Sequence, residues 1–395
     1  MNVCVTPELE LTGLHGSRPP SVVVSYGLGL DSTCLLLRWL REPSTRDFAV
    51  EDMVVVTAMV GDEFSSTAVA VESLMLPLFR EFGVRYVQCA REQRVTTVGG
   101  EGVVVLDDST YPQKLYAEGA YRLSDEMLSA GTLPQLGGAR KCSMHAKGWA
   151  LDPVIAKLTA GQPYRHVIGF ESGEQGRAEK DRRYNTTQRT GWYPLIEAGF
   201  DRQACHDYVS ANLGVAWEKS CCSYCVFALT SARGRAAMVE RYRQEPAAGA
   251  RAMLIEATAR RLNERQTLIA GSSVAQMVQE AGLTAVEDEF RRVFTESGFA
   301  VYDVRRVTPA GVGGRRGVTA RSVHRLAMGP EDAMDAYLAN SPGQRIVGSG
   351  GIVRHHLPAG PGCEHFRVVA PAVVEDKQRK GFDRMWANVN SDSLF

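Results

Sequence analysis

The feature that most restricts the fold is a set of short apolar runs spaced by stretches of helical periodicity. Ser21–Val24 reads SVVV and Met53–Met59 reads MVVVTAM. Runs of this kind are strands buried on both faces, the condition of a parallel sheet covered by helices on each side. Val84–Cys89 and His166–Phe170 (HVIGF) supply two more, and Cys34–Leu40 and Thr67–Phe82 between them are spaced as helices. The alternation predicts an α/β fold, a parallel twisted sheet with helices on both faces.

Other regions follow different patterns. Val95–Gly138 holds the Gly99-Gly100 pair, a strand-like Gly102–Leu106 and a helical reading over Lys114–Leu128; it is expected to be an insertion or lid over the carboxyl edge of the sheet. Ser231–Gln244, Ala247–Arg265, Val274–Ala281 and Ala285–Phe294 read as helices. Beyond them, Phe299–Val307, Ala320–Ala327, Gln344–Val347, Ile352–His356 and Phe366–Val369 read as strands, with a helix over Pro330–Ala339. Gly-rich turns at Ala310–Gly317, Gly348–Gly351 and Pro358–Gly362 separate them. The expected division is a nucleotide-binding domain over 1–229, a helical segment over 230–296 and a small α/β module over 297–395.

Forty-five basic side chains balance 45 acidic ones, so there is no global attraction to nucleic acid or anionic lipid. The N-terminus has no basic start followed by an apolar core, and no apolar run is long enough to span a bilayer. A cytoplasmic, membrane-free protein is expected.

The first strand runs into Ser25-Tyr26-Gly27-Leu28-Gly29-Leu30-Asp31-Ser32-Thr33, which opens a helix. Gly27 and Gly29 let backbone approach an anion, and the positive end of the helix holds it. Ser25, Ser32 and Thr33 add hydroxyl donors. Asp31 makes sense there if a Mg²⁺ ion bridges carboxylate and phosphate. A Walker loop is excluded because its lysine is missing and the glycine spacing is wrong. The alternative is an ordinary Gly-rich turn capped by Asp31 or Ser32.

Three further segments recur in a fixed order. Asp62-Glu63 with Thr67 follows the second strand. Glu174 and Arg177 follow HVIGF. Tyr193-Pro194-Leu195-Ile196, a helix over Asp201–Leu213, and Ser220-Cys221-Cys222-Ser223-Tyr224-Cys225 come next. Together with the first loop these resemble the PP-loop ATP pyrophosphatases of the phosphoadenosine-phosphosulfate (PAPS) reductase type, whose motifs are S-G-G-x-D-S, D-T-G-x-x-x-x-E-T, G-x-R-x-x-E-S-x-x-R and S-G-C-x-x-C-P-F. The resemblance spans Ser21–Ala228. It departs from the pattern in a longer first loop, in the order of Asp62, Glu63 and Thr67, and in Val226 where the family has proline. It implies an ATP site at Ser25, Gly27, Gly29, Asp31, Ser32, Thr33, Asp62, Glu174 and Arg177, with Mg²⁺ and with Asp31 and Arg177 in catalytic roles.

Cys221, Cys222 and Cys225 crowd into five residues, which in a cytosolic chain is a metal site or redox chemistry. Family members that carry an iron–sulfur cluster place cysteines near the position of Cys142 and in a later C-x-x-C pair. The resemblance therefore implies a [4Fe–4S] cluster on Cys142, Cys221, Cys222 and Cys225; zinc, or a redox dithiol with no metal, is the alternative. His145 could replace Cys221 but reads as a surface histidine. Cys363, in Gly362-Cys363-Glu364-His365, lacks the order of the reductases' E-C-G-L-H nucleophile motif and reads as a small apolar residue.

Three functions fit this reading. One is an ATP-dependent sulfurtransferase, near those of DNA phosphorothioation, which adenylates its acceptor and takes sulfur from a donor such as a cysteine desulfurase. Another is a reductase of PAPS or its unphosphorylated analogue. The third is a non-catalytic nucleotide-binding regulatory subunit. A DNA or RNA acceptor is expected from the arginines at 233, 235, 241, 243, 251, 260, 261 and 265 and at 305, 306, 315, 316 and 321. Pairing of those arginines with nearby glutamates is the competing expectation.

Overall fold

The computed structural model describes residues 11, 13–15, 18–93, 101–116, 121–134, 141–309, 317 and 319–391. The chain divides into two compact units, Met1–Leu123 with Gly137–Cys222, and Ser124–Leu136 with Ser223–Phe395. The expected helical segment and C-terminal module thus belong to one unit, and the border falls between Cys222 and Ser223. Among the described residues no helix is long and apolar enough to cross a membrane.

The first unit is α/β. Its six strands are β1 (Val22–Ser25), β2 (Met53–Met59), β3 (Arg85–Arg91), β4 (Val103–Ser109), β5 (Tyr164–Ile168) and β6 (Arg189–Trp192), in the order β4-β3-β2-β1-β5-β6. All neighbours are parallel except β4, which pairs antiparallel with β3 at the edge. The segment expected as a lid therefore supplies an edge strand. Its Gly99-Gly100 pair lies outside the described residues. The helix expected over Lys114–Leu128 is not formed at Lys114–Tyr116; a helix runs over Leu123–Ala130.

Alternation along the strands covers both faces. Val22, Val24 and Val55 pack with helix α1 (Leu30–Arg41) and the Arg202–Leu213 helix, and Val23, Val54 and Val56 pack with Ala150, Val154 and Leu158 of the Trp149–Thr159 helix. Two five-residue π turns, Val71–Met75 and Met144–Gly148, precede helices that contain Pro77 and Pro153. A proline lacks the N–H that would continue the ladder, and the wider turn takes up the mismatch.

The second unit carries the helices Ala232–Gln244, Pro246–Leu262, Val274–Glu280 and Thr284–Glu296. They precede a six-stranded antiparallel sheet of β7 (Phe299–Val307), β8 (Ala320–Gly329), β9 (Gln344–Val347), β10 (Val353–His356), β11 (Cys363–Pro371) and β12 (Lys377–Gln378), in the order β12-β8-β7-β11-β10-β9. The turn expected at Ala310–Gly317 falls largely outside the described residues.

Candidate functional site

The first sheet changes direction at β1. The chain lays β2 and β3 on one side of it and β5 and β6 on the other. In open parallel sheets the crevice outside the carboxyl ends of the strands at such a point is where ligands bind. The loops after β1, β2 and β5 all leave from that edge, and they carry Ser25–Thr33, Asp62-Glu63 and Glu171–Arg177. The fold thus gathers three of the sequence segments on one rim.

The first loop alternates. Tyr26, Leu28 and Leu30 are buried, whereas Gly27 is exposed and has nothing within 4 Å of where a Cβ would stand. The residue in the left-handed region is not a glycine but Leu28, at φ 61°. That conformation costs a side-chain-bearing residue about 1–2 kcal/mol. It is held by burial of the Leu28 side chain and by the Trp217 indole, which donates to the Leu28 carbonyl at 3.1 Å. Tyr26 is tied on both sides: its N–H donates to Val56, and its carbonyl accepts from Thr57 Oγ1.

These ties decide which hydroxyls face the crevice. Thr33, expected as a phosphate donor, is fully buried, and its Oγ1 lies 3.1 Å from the Tyr26 hydroxyl. Helical periodicity turns this position into the core, so its side chain is corrected from ligand contact to packing. Ser32 is buried and donates to the Gly29 carbonyl at 3.1 Å. Ser25 is half-buried, 2.8 Å from His166 Nε2. Arg189 Nε donates to His166 Nδ1 at 2.8 Å, so the ring proton resides on Nε2 and is directed at Ser25 Oγ. Asp181 in turn holds Arg189 at 2.7 Å. Burial and then the Arg189 charge push the His166 imidazole down to about 4, so it is neutral in ordinary buffers.

Asp31 sits in the first turn of α1. Arg202 pairs with its Oδ2 at 3.1 Å, while its Oδ1 is buried without a hydrogen-bond partner. Burial, opposed by Arg202 and reinforced by Glu174 and Glu171, pushes the carboxyl up to about 6. An orphaned buried carboxylate oxygen can serve as one ligand to a divalent cation. Among the described residues no group of three or more histidine, cysteine or acidic side chains is arranged to hold a metal ion. Magnesium commonly takes one or two protein carboxylates and completes its shell with phosphate and water, so Asp31 meets that requirement.

Glu174 pairs with Arg177, and the Arg177 guanidinium lies 4.4 Å from the centroid of the Phe170 ring, itself stacked on Tyr193. Gly169 makes the approach possible: a Cβ there would stand 2.8 Å from Ser32 Cα and 2.9 Å from Ser32 N. Asp62 is buried and its N–H donates to the adjacent Glu63 carboxylate at 3.2 Å. The Glu63 side chain is buried, 3.9 Å from Lys147 Nζ, and burial raises its carboxyl. Sequence reasoning missed His166, Arg189 and Arg202. The first was concealed as one polar residue in an otherwise apolar strand, and Arg202 as an ordinary first-turn residue of its helix.

Cys142, Cys221 and Cys222 belong to the first unit and Cys225 to the second, and all four are half-buried. His145 is stacked on Trp149 with ring centroids 3.9 Å apart. Cys363 packs beside Val307 and Phe382, and burial raises its thiol.

The arginine array is largely committed within the second unit. Arg241 is buried. Arg261 Nη1 donates to the Val369 carbonyl at 2.9 Å, and Arg321 to the carbonyls of Ala130 and Gly131. Arg243, Arg251 and Arg306 pair with Glu240, Asp125 and Glu364. Arg315 and Arg316 lie outside the described residues. Searches against protein-family models, curated proteins and solved structures found no match to this chain.

Proposed function

We propose that the crevice outside β1 and β5 binds the phosphates of ATP or a related adenylyl nucleotide with Mg²⁺, in the manner of a PP-loop ATP pyrophosphatase. The observation that carries this reading is Asp31, a carboxylate in the first turn of a helix at the switch point, with a buried oxygen that lacks a partner. A bare phosphate would be repelled by it; a phosphate accompanied by a divalent cation would not. Bound Mg²⁺ would neutralise charge on the leaving pyrophosphate.

The chain's own residues supply the remainder. His166 donates to Ser25 Oγ, which leaves the serine hydroxyl hydrogen available as a donor to an anion. Arg177, braced by Phe170 and Glu174, provides a positive group on the opposite loop. The first-turn N–H groups of α1 complete the cradle. Sulfur transfer from a donor protein to an activated nucleic acid is the proposed outcome. That portion rests on the family resemblance, because several of the expected arginines pair with acidic side chains or backbone carbonyls of the second unit. The [4Fe–4S] proposal at Cys142, Cys221, Cys222 and Cys225 rests on spacing and resemblance, and no step is routed through it.

The test is calorimetric titration of ATP with and without Mg²⁺, paired with pyrophosphate release in the presence of tRNA or DNA. Magnesium-dependent binding that Asp31→Ala abolishes is the expected result. Binding that is indifferent to both Mg²⁺ and Asp31 would overturn the assignment. An anaerobic absorption spectrum with iron and sulfide analysis tests the cluster separately: a colourless, iron-free protein removes it.

A further inference from the structure

Asp181 closes the Gln175–Asp181 helix, the element that carries Arg177. Its Oδ2 accepts from Arg189 Nη2 at 2.7 Å and from the Tyr193 hydroxyl at 2.7 Å. The Arg189 and Asp181 side chains are only 12% and 17% exposed, so the pair is shielded rather than a solvated surface contact. Asn185 closes the junction: its Oδ1 accepts from Arg189 Nη1 at 3.1 Å and from the Gly191 N–H at 2.8 Å. Gly191 leaves the space for it. A Cβ at that position would collide with the Tyr193 hydroxyl and stand 3.0 Å from Asp181 Oδ2.

Two arms leave that oxygen. The first directs a proton. Arg189 Nε donates to His166 Nδ1, so the imidazole keeps its proton on Nε2 and gives it to Ser25 Oγ at 2.8 Å. Ser25 therefore accepts from the ring and keeps its own hydrogen for another acceptor. With the other tautomer the bond would reverse: Ser25 would donate to Nε2 and turn lone pairs to whatever approaches. An anion is attracted by the first arrangement and repelled by the second. The second arm is steric. The Tyr193 ring stacks on Phe170 with centroids 5.7 Å apart, and the Arg177 guanidinium lies 4.4 Å from the Phe170 centroid. Burial, and then the hydrogen bond to Asp181, push the Tyr193 phenol up, so it stays a donor.

We propose that Asp181 is a positioning residue for anion binding in the crevice: through Arg189 and His166 it fixes the direction of the Ser25 hydroxyl, and through Tyr193 and Phe170 it fixes Arg177. The inference rests on the assignment of nucleotide phosphates to this crevice, and adds that two of its donors, on separate loops, share one anchor. Without the Asp181 carboxylate the shielded Arg189 charge loses its counter-ion, a cost that favours rotation of the guanidinium towards water. His166 Nδ1 then loses its donor, and both neutral tautomers become available.

Nitrogen-15 NMR of the full chain labelled in histidine, without nucleotide, reads the His166 tautomer, with a His166→Gln spectrum to assign its signal. The parent should show the Nε2–H form alone, and Asp181→Ala a mixture. Tyr193→Phe cuts only the second arm and should leave the tautomer as it was. Titration with ATP and Mg²⁺ then reads the consequence. Affinity should fall at least about tenfold in Asp181→Ala, as expected for loss of a charge-assisted contact, and about threefold in Tyr193→Phe. In a Ser25→Ala background the first arm has nothing to direct, so the Asp181→Ala loss should shrink to that of Tyr193→Phe. Asp181→Asn keeps the shape without the charge; it serves if the alanine variant does not fold, and should lose about threefold or more. A parent that binds no nucleotide removes the crevice assignment and this role together. A parent that binds, with an unchanged His166 tautomer or parent-like affinity in the Asp181 variants, overturns the role of Asp181 and leaves the crevice assignment standing.

Discussion

The two sheets place polar groups in different locations, and strand direction is the reason. In the first unit the central parallel strands are covered on both faces, so most side chains along them are committed to packing and polar groups gather towards one edge, in the loops and at strand positions such as Ser25, His166 and Arg189. In the second unit the antiparallel sheet has one face given to core and one only partly covered, so polar side chains can stand on the pleat itself. A loop site keeps its key residues within a few positions of one another, as at Ser25–Thr33, although distant residues such as Thr57 and Trp217 hold its shape. Polar groups on a pleat are set by register between strands far apart in the chain, as where Asp303 of β7 meets His365 and Arg367 of β11.

The comparison is broken most directly at Asp31. If the first crevice works through that carboxylate, Asp31→Ala should lower pyrophosphate release by at least about a hundredfold, equivalent to roughly 3 kcal/mol in the barrier. Near-normal release by the variant would move the chemistry elsewhere.

A second effect at the same residue concerns stability. The folded carboxyl titrates at about 6 and the unfolded one near 3.8, so the native state binds the proton more tightly. The native state is therefore favoured at low pH, and stability is lost as pH rises from about 4 through 6, by up to about 3 kcal/mol. Asp31→Asn should remove that slope, leaving the ligand-free variant more stable than the parent at pH 8 and no more stable at pH 4. Denaturant midpoints at the two pH values decide it; an equal effect at both would show that the carboxylate is not strained.

Legibility in the sequence followed the same division. Phe299–Val307, Gln344–Val347 and Met53–Met59 are strands at the bounds their composition indicates, and Ser231 and Asp201 cap their helices as side-chain acceptors. The place of Asp31 in the first turn of a helix was readable from the apolar run and Gly-bearing loop that precede it. Thr33 was misread because helical periodicity turns it into the core, against the Tyr26 hydroxyl, and which face of a helix meets the core is set by what packs on it rather than by the local sequence. The pairing of Asp303 with His365 was invisible too: each is unremarkable in its own strand, and only the pairing of β7 with β11 joins them. Composition reports charge but not partners, so the backbone carbonyls that Arg261 and Arg321 contact could not be read from it.

Smaller effects sharpen the contrast. Gly169→Ala would force backbone against the Ser32 backbone, a cost of about 1–3 kcal/mol that chemical denaturation should register, with weakened nucleotide binding. The same substitution at Gly27, where no atom stands near, should leave stability within about 1 kcal/mol of the parent. Arg243→Ala removes an exposed pair with Glu240 and should change stability by less than about 0.5 kcal/mol.

The second unit is discontinuous, and this has a consequence for how the protein is made. Ser124–Leu136 leaves the ribosome long before Ser223–Phe395, yet it belongs with the later residues. Its Ser129 carbonyl accepts from the Glu375 N–H at 2.9 Å, Ala130 and Gly131 receive Arg321, and Gly131 lies so close to Leu262 that any Cβ there would collide with it. During synthesis this stretch waits with those groups unmet until nearly the whole chain has emerged. Cleavage of the gene after Cys222 would accordingly separate Ser129, Ala130 and Gly131 from the Glu375 N–H and the Arg321 guanidinium that they receive. Expressed apart, the later fragment should be insoluble; supplied with the earlier one, it should be rescued by complementation.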